Sequence, residues 1–154
     1  NGALTIGTMD GANVEICEAV GKENIFIFGL TSDEVDALYA NNSYRAGEVY
    51  ERSPILRRVM DQLVDGSLGP NRVFSELYHA LLFGDNGGMA DPYFVLKDLP
   101  GYVRAQAQVG ADYQNRSRWL ERAIMNTASS GYFASDRTIA EYNEKVWHLP
   151  KLSL

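Results

Sequence analysis

A strand–helix–strand unit at the start of the chain is the feature that most constrains its fold. The sequence opens with NGALTIGTMDGANVEI, in which residues 4–8 are predicted to form a strand, and ENIFIFG follows at residues 23–29. Residues 25–28 are all apolar without alternation, which is typical of a strand that is covered on both faces in a parallel sheet. We therefore predict a β-α-β unit with a right-handed crossover.

The helix of this unit is predicted from its flanking residues. A turn covers residues 7–11, Asp10 is a candidate N-cap, and Gly21 ends the helix. Ile16 and Val20 then lie on its apolar face.

The rest of the chain is predicted to be mainly helical. Thr31 and Glu34 have the spacing of a capping box. Ser53 and Pro54 suit the cap and the first position of another helix, which ends at Gly66. Its predicted apolar stripe consists of Ile55, Val59, Met60 and Leu63.

Four further helices are predicted, at about residues 71–83, 99–113, 117–130 and 135–147. Residues 93–96 are a weak candidate for a third strand because Pro92 precedes them. The stretch GDNGGMADPYF, at residues 84–94, is predicted to be a flexible connection. Since two strands hardly make an independent sheet, we expect the other strands of a larger α/β sheet to be encoded upstream of Asn1.

Charge and cysteine usage exclude several classes of protein. The formal net charge is -6, which disfavours binding to nucleic acid or to an anionic membrane surface. No apolar run approaches the roughly 20 residues that cross a bilayer. Cys17 is the single cysteine, so no internal disulfide forms, and we predict that it packs in the core of a cytoplasmic protein.

The glycine-rich turns do not match a known phosphate-binding pattern. Gly7 and Gly11 flank a turn before a helix, where backbone N–H groups can hold an anion, but they fit neither G-x-G-x-x-G nor a P-loop. We interpret this turn as structural. Gly84, Gly87 and Gly88 miss both patterns as well and are interpreted as a mobile connection.

The acidic and histidine residues do not indicate a site either. Asp10, Glu15 and Glu18 offer carboxylates of the kind that divide acid and base roles in sugar chemistry, but their spacing predicts a solvated helix face. His79 and His148 have no acid or cysteine at metal-ligand spacing. We predict no metal site.

The serines and aromatic residues near the end of the chain have simpler interpretations than catalysis. Ser129, Ser130 and Ser135 lack the pattern of a nucleophile elbow and are predicted to cap helix ends. The aromatic side chains can stack on carbohydrate, but their helical spacing favours packing in a core or an interface. This group comprises Trp119, Tyr132, Phe133, Tyr142 and Trp147.

Two long blocks of the sequence resemble one enzyme family. NGALTIGTMDGANVEI followed by ENIFIFG resembles the closing segment of the glycogen, starch and maltodextrin phosphorylases. NTASSGYFASDRTIAEY with VWHL is similar to the final helical section of the same family. The helices between fall in the same order, whereas residues 68–102 carry little family signature. Both blocks are more similar to glycogen phosphorylases than to the maltodextrin branch.

The resemblance implies the final part of a two-lobed GT-B glycosyltransferase with two Rossmann-like domains. Such enzymes use inorganic phosphate to release glucose-1-phosphate from α-1,4-glucan, with pyridoxal phosphate bound to a lysine as cofactor. In the family, that lysine and the phosphate-binding residues lie upstream of the segment that matches residues 1–3. The resemblance therefore assigns no catalytic, cofactor-binding or metal-binding residue here, and this segment alone is expected to be inactive.

The same resemblance implies two parts of the chain. Residues 1–134 would hold the last strands and covering helices of the C-terminal Rossmann-like domain, and residues 135–154 would cross back to the N-terminal lobe. Without that lobe we expect the segment to self-associate. The alternatives are a free-standing, non-enzymatic helical interaction module and an independent nucleotide-binding domain. The apolar stripe predicted for the last helix is Ile139, Tyr142, Val146 and Trp147.

Overall fold

The computed structural model describes residues 2–70, 73–85 and 87–150, and within them the protein is a helix-rich α/β structure. Short 3-10 turns at Lys22–Asn24 and Ser129–Phe133 join longer elements, and a π turn at Asn143–Trp147 follows the helix Ser135–Tyr142. None of the described helices is both long and apolar enough to cross a membrane. The strands and α-helices are β1 (Ile6–Gly7), α1 (Ala12–Val20), β2 (Phe26–Ile27), α2 (Ser32–Ala40), α3 (Ala46–Arg52), α4 (Pro54–Asp61), α5 (Ser75–Leu82), α6 (Val95–Gln114), α7 (Arg116–Ala128) and α8 (Ser135–Tyr142).

The predicted β-α-β unit is confirmed. β1 and β2 are parallel, with Ile6 opposite Phe26. The backbone N–H of Phe26 donates to the Thr5 carbonyl at 2.9 Å, and that of Phe28 donates to the Gly7 carbonyl at 3.0 Å. Each strand has two residues and is therefore shorter than predicted, although hydrogen bonding continues beyond both.

The boundaries of α1 are partly as predicted. Gly21, with φ 84°, ends the helix, and its N–H donates to the Cys17 carbonyl at 2.9 Å. Asp10 is not the N-cap, because the cap is Gly11, with φ 48° and no side-chain capping bond. Cys17 and Val20 are buried with Ile25 in a small core between α1 and β2, as predicted for the cysteine.

The caps predicted for α2 and α4 are confirmed. Thr31 Oγ1 accepts from the Glu34 N–H at 3.3 Å, while the Glu34 carboxylate accepts from the Thr31 N–H at 2.8 Å. Ser53 Oγ accepts from the Leu56 N–H at 3.3 Å, and Pro54 is the first helical residue. Each cap satisfies backbone donors that the helix itself leaves free.

The predicted apolar stripe of α4 is right for Met60 and Leu63, which pack in or against the main core, but wrong for Ile55 and Val59, and the helix is shorter than predicted. Leu56 and Met60 are each 2% exposed, whereas Ile55 is 71% and Val59 42% exposed. The helix ends at Asp61, before Leu63 and Gly66. The buried pair lies four residues apart and faces the core, so neighbouring elements select the inner face.

α3 was not predicted from the sequence. It has seven residues and no side-chain capping bond, so its local signals are weak. Its Ala46 is buried in the main core, and Tyr50 donates from its hydroxyl to Asp61 Oδ1 at 2.6 Å. Tertiary contacts therefore stabilise this helix.

α6 begins four residues before the predicted position and replaces the candidate third strand. Phe94 has a left-handed backbone, with φ 55°, and the helix starts at Val95. Pro100 lies inside the helix, although proline usually marks a boundary. α5 covers Ser75–Leu82, within the predicted range of 71–83, of which residues 71 and 72 lie outside the described part.

Asp91 is the buried group that holds the helical part together. Its Oδ1 accepts from the Val95 N–H at 2.8 Å, and its Oδ2 accepts from the Leu96 N–H at 2.8 Å and from the Tyr44 hydroxyl at 2.6 Å. The Asp91 N–H donates to the Ala80 carbonyl at 3.2 Å. Burial and the Asp91 hydrogen bond raise the pKa of Tyr44 above its ordinary value, so this hydroxyl keeps its proton.

The main core surrounds this carboxylate, and it takes up Asp91 and Phe94 from the stretch that was predicted to be a flexible connection; for the rest of that stretch flexibility stays a prediction. Asp91 is fully buried and Phe94 is 2% exposed. Gly84 has φ 80°, and a Cβ there would clash with the Gly88 carbonyl oxygen, so this position requires glycine. The apolar residues buried in the core are Tyr44, Ala46, Leu56, Met60, Leu82, Phe94 and Leu96.

Asp98 joins the end of β2 to α6. Its Oδ1 accepts from the Leu30 N–H at 2.9 Å. Gly29 has φ 80°, and a Cβ there would meet Asp98 Oδ2 at 2.6 Å, so only glycine fits. Burial raises the pKa of Asp98; the bond from Leu30 lowers it, and the charge of Asp91 raises it further.

The C-terminal helices begin as predicted or within one residue, but their apolar side chains remain uncovered. α8 starts at Ser135 and passes into the π turn. In the predicted stripe, Ile139 is 56%, Tyr142 52%, Val146 60% and Trp147 48% exposed. The other described helices do not cover this stripe.

We predict that Asp91→Ala will lower the free energy of unfolding by about 2–4 kcal/mol, because it removes the α6 cap and leaves the buried Tyr44 hydroxyl without its acceptor. Urea denaturation followed by circular dichroism measures the change. Asp36→Ala, at an exposed position of α2, is the matched control and should change stability by less than about 0.5 kcal/mol. Equal unfolding midpoints for the two variants would contradict the role of Asp91.

We predict that Asp98→Asn will change the pH dependence of stability. Because the folded-state pKa of Asp98 is raised, its proton stabilises the fold below the ordinary value of 3.8, and this stabilisation is lost as pH rises through the folded-state pKa. The amide keeps an acceptor for Leu30 but has no proton to lose. Thermal unfolding should therefore show the variant gaining stability relative to the wild type as pH rises above the ordinary value of 3.8. A difference that does not vary with pH would count against this assignment.

Candidate functional site

An open groove with a volume of about 800 Å³ lies alongside β2. Residues 25–29 line it on one side, and residues of α6 and α7 line the other. Four cationic side chains face into it from three different elements, and we call it the cationic groove. These side chains are Lys22, Arg104, Arg118 and Arg122.

Backbone geometry explains why β2 is accessible beside this groove. The N–H groups of Phe26 and Phe28 donate to β1. In a parallel pair, alternate residues direct their backbone groups to opposite edges, so those of Ile25 and Ile27 point away from β1. Among the described residues, β1 is the only strand that pairs with β2.

Asp112 positions two of the three arginines of α7. This carboxylate is 4% exposed, and its Oδ2 lies 2.5 Å from Arg122 Nη1, while its Oδ1 lies 3.3 Å from Arg118 Nη1. Gln108 Nε2 also donates to Oδ1, at 3.0 Å. The Arg122 guanidinium stacks over the ring of Phe26, 4.8 Å from its centroid. One buried acid therefore orients two cations at the groove.

The charge of the groove is opposite to that of the chain. Within the described residues, Lys22 and Arg104 form no salt bridge, and no Asp or Glu lines the groove. Four cations with the one paired carboxylate of Asp112 leave a local charge of +3, in a chain whose formal charge is -6. A cleft lined by one sign of charge concentrates ligands of the other sign.

The acids and histidines considered in the sequence are not brought together. Asp10, Glu15 and Glu18 are exposed at or near α1. His79 is exposed on α5, and His148 ends the π turn with φ 53°. The described residues contain no group of histidine, cysteine and acidic side chains that could hold a metal ion.

The first glycine turn is occupied by the protein's own side chain. A Cβ at Gly7 would lie 2.5 Å from Asn13 Nδ2, and this amide donates to the Thr8 carbonyl at 2.9 Å. The interpretation of the turn at Gly7 and Gly11 as structural therefore agrees with its contacts.

The serine predictions hold in part. Ser130 Oγ donates to the Thr127 carbonyl at 2.7 Å, at the C-terminal end of α7. Ser129 begins the following 3-10 turn. Ser135 is not a cap, because Ala134 precedes α8 as N-cap without a side-chain bond.

The aromatic residues divide into two groups. Trp119 is half-buried and packs edge-on against Tyr113, with ring centroids 5.1 Å apart. Tyr132 is 53% and Phe133 46% exposed, so neither lies in a core of the described residues, and an interface stays the prediction for them. The Arg137 guanidinium lies over the Tyr132 ring at 4.1 Å.

Sequence reasoning missed the cationic groove. Arg118 and Arg122 are four residues apart, which places them on one helix face, and this spacing was the available signal. Lys22 and Arg104 are too distant along the chain for any local pattern to join them.

Comparison with known proteins gives one consistent result. A family model described as carbohydrate phosphorylase matches residues 1–149. A glycogen phosphorylase of Bacillus subtilis is 47% identical over 148 residues, covering 96% of this chain and 18% of that protein. A maltodextrin phosphorylase of Streptococcus pneumoniae is 44% identical over 152 residues, covering 97% of this chain and 19% of that protein.

An animal enzyme is similar to the same extent. The muscle form of human glycogen phosphorylase is 44% identical over 149 residues, covering 96% of this chain and 17% of that protein. The chain therefore spans less than a fifth of the length of these relatives. Because the family match covers nearly every residue, with identities of 44–47%, the chain belongs to the carbohydrate phosphorylase family.

Proposed function

We propose that this chain is the C-terminal part of an α-glucan phosphorylase, which uses inorganic phosphate to release glucose-1-phosphate from α-1,4-glucan. The observation that carries the proposal is the similarity along nearly the whole chain to proteins named glycogen and maltodextrin phosphorylase. The partial coverage of those proteins, 18% and 19%, supports a role as one segment of a larger enzyme. The glucan and phosphate are thus partners of the whole enzyme.

We propose that β1 and β2 are the last strands of a Rossmann-like domain in a two-lobed GT-B enzyme. Residues 1–134 would complete that domain, and residues 135–154 would cross to the N-terminal lobe. The exposed stripe of α8 and the π turn supports this arrangement. Its four large apolar side chains are each 48–60% exposed. Fully burying one such side chain stabilises a protein by about 1.5–3 kcal/mol, so covering the stripe would be favourable.

We propose that pyridoxal phosphate binds to the whole enzyme through residues outside this chain. The described lysines do not fit the cofactor, because Lys22, Lys97 and Lys145 are all exposed. Lysines that form covalent bonds are commonly activated by burial in an apolar pocket. Lys145 instead donates to Glu141 at 2.5 Å, and this hydrogen bond raises its pKa, which keeps the amine protonated.

The contribution of this chain would then be structural support for the catalytic residues of the enzyme. β1 continues from the segment that carries the lysine in the family, and α6 and α7 cover the sheet. The acidic charge of -6 argues against nucleic acid as a partner. We propose a cytoplasmic location for the enzyme.

We expect the complete enzyme to release glucose-1-phosphate from α-1,4-glucan and phosphate, and residues 1–154 alone to release none. A coupled assay for glucose-1-phosphate measures both, with the cofactor added in excess. The control is the complete enzyme after removal of its cofactor, which should lose activity and regain it on reconstitution. A complete enzyme inactive on every α-1,4-glucan, or an active isolated chain, would refute the proposal.

We expect residues 1–154 alone to self-associate through the exposed stripe of α8 and the π turn. Trp147→Ala should raise the dissociation constant several-fold, because it removes an aromatic side chain that association would bury. Analytical ultracentrifugation at micromolar concentration measures this constant. Tyr93→Ala is the control, since Tyr93 is 84% exposed and lies outside the stripe. A monomeric chain, or equal effects of the two substitutions, would show that the stripe is not engaged.

A further inference from the structure

We propose that the cationic groove binds a small phosphorylated molecule. The inference rests on the groove alone and does not depend on the proposed catalytic activity. Phosphate groups carry about 1.5 to 2 negative charges near neutral pH and offer three strong acceptor oxygens. Such a ligand matches the groove, whose local charge is +3. In the described part of the chain, no carboxylate lines the groove.

The arginines are already held in position for an anion. Asp112 lies behind Arg118 and Arg122 and bonds one nitrogen of each. The other guanidinium N–H groups remain available for a planar, bidentate contact with phosphate. The Arg118 side chain is 52% exposed and Arg122 11%, so the first can reach the ligand directly and the second forms the inner wall. Fixing these side chains in advance lowers the entropic cost of binding.

Lys22 and Arg104 complete the set from two other elements. Lys22 comes from the 3-10 turn before β2, and Arg104 comes from α6. Neither forms a salt bridge with a described residue, so neither must exchange an ion pair to contact a ligand. Four cations that converge from three elements suit a compact polyanion.

The remaining lining suits an organic molecule. Met9, Phe26 and Phe28 supply apolar surface, and the volume of about 800 Å³ is within the range of about 300–1,000 Å³ for small-molecule sites. The groove reaches Gly29, beyond the carboxyl end of β2, which is where ligands bind in open α/β sheets. A Cβ at Gly101 would lie 3.3 Å from the Gly29 nitrogen, so glycine here keeps this edge open.

An extended acidic peptide is the competing occupant. It would pair with the outward backbone groups of Ile25 and Ile27 and so add a strand to the sheet. Its carboxylates would then be spaced along the strand, at about 6.6–7 Å on each face. The four cations instead surround one volume from separate elements, which favours the compact ligand.

Inorganic pyrophosphate is the probe for the test. Isothermal titration calorimetry with residues 1–154 should show saturable binding of one pyrophosphate per chain, weakening as salt rises. Lys22→Gln with Arg104→Gln should reduce affinity at least about tenfold, because two of the four cations are lost. The matched control is Arg57→Gln with Arg58→Gln, which removes the same charge from the exposed face of α4 and should leave affinity unchanged.

Amide chemical shifts locate the site without relying on the variants. Pyrophosphate should perturb the signals of Gly29 and Gly101 in the wild-type chain, and these should saturate with the calorimetric affinity. Equal loss of affinity in the two double variants, or shifts scattered over the surface, would indicate non-specific attraction and overturn the proposal. Saturable binding of a poly-glutamate peptide with shifts along residues 25–29, without saturable pyrophosphate binding, would assign the groove to a peptide instead.

Discussion

The hydrogen bonds of the buried Asp91 carboxylate are the interaction on which the helical part of this protein depends. An ionised carboxylate is costly to bury unless its oxygens accept hydrogen bonds, and here two backbone N–H groups and the Tyr44 hydroxyl donate to them. These bonds determine where α6 begins. They also bring the segment after α2 against the start of α6, so that Phe94 packs edge-on against Tyr44 with centroids 4.8 Å apart. The main core forms around that contact.

α6 connects the buried Asp91 to the two strands. From its first turns, Asp98 bonds the backbone just after β2, and further along the helix Asp112 orients Arg118 and Arg122 beside the same strand. One helix therefore links the buried acid, the end of the sheet and the cationic groove. Three of the groove cations lie on α6 or are bonded to its Asp112, whereas Lys22 comes from the 3-10 turn before β2, and Asp91 itself is not part of the groove.

The length of the relatives and the exposed apolar side chains both bear on how this chain packs. The relatives are several times longer than this chain, and the structure has large apolar side chains at half exposure on α8 and its π turn, among them Tyr142 and Trp147. Both observations support a segment that completes its packing against other parts of a larger enzyme. The described lysines, all exposed, support a scaffolding role in which the reacting groups lie elsewhere.

Local sequence alone determined the β-α-β unit, the caps at Thr31 and Ser53, the end of α1 at Gly21 and the family. Each depends on residues within a few positions of one another, or on long similar blocks. Only the tertiary structure decided that Asp91 and Phe94 are buried, that Leu56 of α4 faces the main core, and that four cations line one groove. These outcomes depend on contacts between residues far apart in the chain, which periodicity and capping rules do not contain, because burial selects among local conformations of similar energy.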